Sequence, residues 1–196
     1  MYPSRISNLL ISKRQNLISL VSILAVFGAT TELLAGIWDA TSHLMREPDL
    51  FWTTQHVFVY TGVGMVACSA ILGSFLIILN SKNKTLNKKL KIVLVGAILQ
   101  ITAGYADSIS HDIYGIDGLV SISHLVLESG LLLSAFGGFM VLSQINDKTA
   151  RKIMPIAILS VLLSAAWIGF NLILLFGAVI LCMPVYEIFS SGCAVL

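Results

Sequence analysis

Five apolar stretches, each close to or above the roughly 20 residues a helix needs to cross a bilayer, divide this chain. They run from Asn16 to His43, Thr53 to Asn80, Leu90 to His111, Leu119 to Ile145, and from Ile153 onward. A segment in hydrocarbon must satisfy its own backbone groups, so each reads as a helix. With 57% hydrophobic and 11% charged residues, a soluble globule is excluded. The expected fold class is all-α: a polytopic membrane bundle of about five transmembrane helices, forming one integral membrane domain over residues 1–196. The first stretch is too long and lacks the small-residue site of a cleavable signal, so it is expected to persist.

Charge placement predicts the orientation. Arg5, Lys13 and Arg14 precede the first span, Lys82, Lys84, Lys88, Lys89 and Lys91 separate the second from the third, and Lys148, Arg151 and Lys152 separate the fourth from the fifth. By the positive-inside rule these ends are cytoplasmic, N-terminus included. The other connections carry Glu47 and Asp49 against Arg46, then Asp112 and Asp117 without a cation, and so face outward. A net charge of +2 spread over short segments gives nucleic acid no basic face. Cys68, Cys182 and Cys193 have no Cys-x2-Cys spacing and read as small buried hydrophobes. The fifth stretch, to about Cys182, predicts one long or kinked helix, with an extracytoplasmic tail from Pro184 and Glu187. That side of the membrane argues against prenylation of the terminal Cys193-Ala194-Val195-Leu196.

All four histidines fall into one pattern written twice: Asp39, His43 and His56, then Asp107, His111 and His124, each Asp-x3-His-x12-His. Four residues put an Asp and a His on one helix face, and the longer step carries the second His across a turn. Around the motif the hairpins match without a gap. Ala35-Gly36 aligns with Ala103-Gly104, Ser42 with Ser110, Asp49 with Asp117, and Gly62 with Gly130. This predicts an internal repeat, 16–80 and 90–145, of parallel hairpins with two equivalent sites near the outer interface. Trp38, Phe51 and Trp52 suit the aromatic belt there.

Two imidazoles and a carboxylate at one point are a coordination sphere for copper, zinc or non-haem iron(II), and no thiolate is near to select among them. Such side chains also serve as interhelical hydrogen-bond glue, at about 1 kcal/mol each. A constellation that exhausts the histidines at identical spacing favours metal. Glu32, two turns inward of Asp39, has Gln100 as counterpart, whereas Glu128, one turn beyond His124, has Tyr60. Intramembrane acids are costly and mark bundle interiors or proton paths, so these four residues are candidate supporting groups. A different class of function, a small proton- or ion-coupled transporter whose Asp, Glu and His residues line a pathway, uses the same groups. Metal-dependent hydrolysis is a third.

At the Asp-x3-His-x12-His motif the chain resembles the copper-binding C-type membrane component of the copper membrane monooxygenases, the particulate methane and ammonia monooxygenases, most closely the short archaeal form. The resemblance covers roughly Thr31 to Gly62 and Leu99 to Gly130. It implies copper at Asp39, His43 and His56, and a second copper position at His111 and His124, where Asp107 stands in place of the family's frequent Asn. It also implies partner membrane proteins. Trp38-Asp39, His43, Phe51-Trp52 and His56 are similar as well to uncharacterised prokaryotic membrane proteins, so monooxygenase activity does not follow from the motif.

Overall fold

The computed structural model describes residues 3–45, 52–79, 82–114 and 121–180, with the side chains of 3–13, 43–44, 110–112, 114 and 178–180 outside that description. Five helices account for almost all of it: α1 (Pro3–Leu44), α2 (Thr54–Leu79), α3 (Lys84–Tyr114), α4 (Ile122–Leu142) and α5 (Lys148–Leu174), the last continuing into a π-helical turn, Leu175–Ile180. All five are long and apolar enough to cross a membrane. The fold is therefore an all-helical one of multi-pass membrane character.

Helices α3 and α5 begin earlier than apolar runs alone suggest, because capping side chains sit among the charges. Asn83 Oδ1 accepts from Leu86 N at 3.1 Å and starts α3, while Asp147 Oδ1 accepts from Ala150 N at 2.6 Å and starts α5. Lys84, Lys88, Lys89 and Lys91 therefore ride on the first turns of α3, and Lys148, Arg151 and Lys152 on those of α5. The fifth stretch forms one α-helix through Pro155 to Leu174 and continues as the π-helical turn to Ile180, while its expected end near Cys182 and the tail from Pro184 lie outside the described residues.

The first four helices close a ring in chain order, α1 against α2, α2 against α3, α3 against α4 and α4 against α1, and α5 lies on the α1/α4 seam. Each hairpin crosses where glycine removes a side chain. A Cβ on Gly62 would stand 2.7 Å from both Gly28 O and Glu32 N; one on Gly130 would stand 2.7 Å from Gly96 O. Gly28 and Gly96 are themselves a matched pair in the register that aligns Asp39 with Asp107. The interior holds small and β-branched residues, Ala25, Val66, Ala70, Val93 and Ala97, along with buried Ser69, Ser134 and Asn171. Large apolar side chains such as Ile71, Phe75, Ile78 and Ile173 face outward, the distribution expected against lipid. Cys68 is among the exposed residues, which corrects its reading as buried.

Candidate metal centre

In each hairpin a hydroxyl sets the start of the second helix three residues before its histidine. His124 N donates to Ser121 Oγ at 3.1 Å, and His56 N to Thr53 Oγ1 at 3.5 Å. These N-caps put both histidines in the first turn, opposite the last turns of α1 and α3. Asp39 and Asp107 lie there: His56 Nε2 is 3.4 Å from Asp39 Oδ1, and His124 Nε2 is 3.2 Å from Asp107 Oδ1. Both pairs are largely buried.

Those separations bear on metal binding. N–H···O hydrogen bonds run from about 2.7 to about 3.2 Å, so the Asp107 pair stands at the long edge of that range and the Asp39 pair beyond it. Two donors of a tetrahedral sphere with bonds of about 2.0–2.1 Å stand about 3.3–3.4 Å apart, which matches them. Each pair supplies two donors, and the backbone carries His43 and His111 one helical turn beyond the aspartates, their side chains outside the described residues. Among the described residues no three His, Cys, Asp or Glu side chains gather closely enough to hold an ion.

Two separate sites were expected, but both pairs open into one cavity of about 60 Å³ at the motif end of the ring. Glu32 and Glu128 line its deeper part, with Tyr60 and the α5 residue Trp167 on its walls. Ring closure explains this, since α1 with α2 and α3 with α4 turn equivalent faces toward one axis. Glu32 is 3% exposed and neither of its carboxylate oxygens has a hydrogen-bond partner. Glu128 Oε1 accepts from Asn171 Nδ2 at 2.5 Å, and the Trp167 indole lies against the same carboxylate.

Matched positions do not share all their contacts. Ser123 Oγ donates to Asp107 Oδ1 at 2.9 Å, whereas its counterpart, Gln55, donates instead to Ser42 Oγ at 2.7 Å. Gln100, the counterpart of Glu32, does not line the cavity. Its Nε2 donates to Ser134 Oγ at 3.2 Å, and it faces a groove on the α2/α3 seam with Tyr60, Gly64 and Tyr105. Tyr60 lines both cavity and groove, its ring seated on Gly104. Sequence reasoning missed Trp167, Asn171 and the two capping hydroxyls; of these, only the caps had a signal, a Thr or Ser three residues before each distal histidine.

Comparison with known proteins adds no relative. No family model matches the chain, and no curated protein or solved structure is significantly similar to it. What the chain does has to follow from the chamber.

Proposed function

We propose that this is an integral membrane metal-binding protein with two Asp/His/His ligand sets, Asp39, His43, His56 and Asp107, His111, His124, borne on duplicated hairpins at the extracytoplasmic side of the cell membrane. The observation that carries it is the pairing of each aspartate with its distal histidine at 3.4 and 3.2 Å, donor-edge separations, twice over. Matched glycine crossings at Gly28/Gly62 and Gly96/Gly130, and matched caps at Thr53 and Ser121, support the duplication. The acidic loops at the motif end and the basic residues at the other support the orientation.

Copper is the metal the motif resemblance favours, with iron and zinc as alternatives. The same resemblance makes the chain a counterpart of the C-type component of the copper monooxygenases, or a stand-alone relative of it. In that reading it works beside other membrane proteins or further copies of itself. A bound ion would supply Lewis-acid or redox chemistry; the chain's own part is to orient it. Ser123 fixes Asp107, and the caps fix the histidines.

Metal analysis of the purified chain beside His43→Ala and His111→Ala tests the proposal. Stoichiometric metal that drops in both variants is expected. No metal after reconstitution with copper, iron and zinc would sink it. A second reading draws on the unpartnered carboxylate of Glu32 within α1: a proton- or ion-coupled transporter. Flux into liposomes that survives chelation and is lost in Glu32→Gln would favour it.

A further inference from the structure

The ring has two seams between its hairpins, α4/α1 and α2/α3, and the register that aligns Asp39 with Asp107 makes them equivalent. Among the described residues only the first is covered: there Leu33, Leu131 and Ala135 pack against Val161 and Trp167 of α5. On the second seam their register mates, Ile101, Val63 and Ala67, line an open groove of about 330 Å³. The groove is not a copy of the α5 seat. Gly64 stands where the other seam has Leu132, and a Cβ there would meet nothing within 4 Å. Tyr105 stands where the other seam has Ile37, and with Trp52 it projects beside the groove, the two being 71% and 75% exposed. Open space at a glycine between projecting rings suits a small molecule better than the flat approach of a second helix.

The groove also holds a polar group that lacks a partner. Gln100, one of its lining residues, is fully buried; its Nε2 donates to Ser134 Oγ at 3.2 Å, and its Oε1 has no hydrogen-bond partner. A buried amide costs stability unless both its ends are bonded. Ser134 Oγ can bond either end, and a hydroxyl, which both donates and accepts, satisfies whichever is left. Gln100 lies two turns inward of Asp107, about 10 Å along the helix axis, so a molecule that meets it comes from the hydrocarbon.

We propose that the α2/α3 groove binds a small membrane-dissolved aromatic alcohol, of the phenol class, whose ring packs among Trp52, Tyr60 and Tyr105 and whose hydroxyl meets the Gln100 amide. Small-molecule sites are concavities of about 300–1,000 Å³ with mostly apolar and aromatic walls and a few polar groups, and aromatic rings add offset and edge-on contacts to one another. Tyr60, the residue common to the linings of groove and chamber, separates this ligand from the Asp–His pairs. The site does not depend on a bound metal, since none of its lining residues belongs to the two ligand sets.

Para-bromophenol is the probe, titrated into the full-length protein in nanodiscs, because bromine quenches tryptophan emission on contact and Trp52 lines the groove. Para-bromoanisole, the same ring with its hydroxyl methylated, is the control. Saturable quenching by the phenol is expected, with the anisole at least about tenfold weaker, the contribution of one buried hydrogen bond. Gly64→Leu, whose Cβ enters open space, should abolish the saturable component, and Gln100→Leu should bind phenol and anisole alike. Quenching that rises without saturation, as from partition into lipid alone, overturns the proposal, and so does saturation untouched by Gly64→Leu. Saturable quenching lost on chelation or in His43→Ala would put the phenol on a metal ion, overturning this proposal while supporting the metal reading. An oligomer of the native chain that Gly64→Leu dissociates, with no phenol bound, would make the groove a helix seat and overturns it as well. The ratio of phenol to anisole affinity in the native chain decides the matter even if Gln100→Leu does not fold.

Discussion

Asn171 on α5 donates a hydrogen bond of 2.5 Å to Glu128 on α4, and this one contact ties the helix outside the paired hairpins to the floor of the chamber. Asn171 is fully buried, so the bond is shielded from water and its loss leaves an acceptor stranded. Replacing Asn171 with Leu is therefore expected to lower stability by about 1–3 kcal/mol, read as a reduced thermal transition of the purified chain in detergent. Ser160→Ala, on the same helix and with no partner for its hydroxyl, should be neutral or stabilising. Equal losses in both variants would refute this role for the Asn171–Glu128 bond.

The glycine crossings give a second expectation. At Gly62 the atoms facing a new Cβ are backbone, Gly28 O and Glu32 N, which cannot step aside as a flexible side chain would. Gly62→Ala and Gly130→Ala should each cost about 1–3 kcal/mol by overpacking. Gly64→Ala, where a Cβ meets nothing within 4 Å, should leave the transition where it is. Because Gly62 presses on Glu32, its substitution should also weaken metal binding, whereas Gly64→Ala should not.

Apolar run length was enough to reveal five helices, since nothing but a helix satisfies a backbone in hydrocarbon. Helical spacing across a turn was enough to put Asp39 near His56 and Asp107 near His124. Neither signal reports how one hairpin meets the other. The closure of α4 on α1, which merges two expected sites into one chamber, depends on contacts between residues far apart in sequence. Asn171 and Trp167 stand in an apolar helix with no periodic mark, so their approach to Glu128 was invisible. Gln100 shares a register position with Glu32 yet faces Ser134 and the outer groove, because a shared register does not fix which neighbours a side chain meets. Gly28 and Gly96 were legible in principle, one turn beyond the aligned segment.

Different contacts at the matched positions Ser123 and Gln55 lead to a third expectation. Ser123 holds Asp107, while its counterpart Gln55 donates to Ser42 instead. Groups that orient a ligand change metal affinity by about 10–100-fold when removed. Ser123→Ala should therefore weaken one of the two binding events by at least tenfold in a zinc titration, and Gln55→Ala should change both by less. The reverse order would show that Ser123 does not orient a ligand.

Orientation can be checked without any metal. The connection through residues 46–51 joins helix ends at the motif side and that through residues 143–147 joins ends at the other, so the two must lie on opposite faces if each helix crosses once. Lys148, Arg151 and Lys152 follow the second connection, and a cationic segment is retained on the cytoplasmic side. In a chain whose 3 cysteines are replaced by alanine, Asp49→Cys should react with a membrane-impermeant maleimide on intact cells. Gln144→Cys should react only after permeabilisation. The opposite pattern would place the chamber on the cytoplasmic face, where metal supply and redox conditions differ, and would remove the extracytoplasmic part of the proposed function while leaving the ligand pairs untouched.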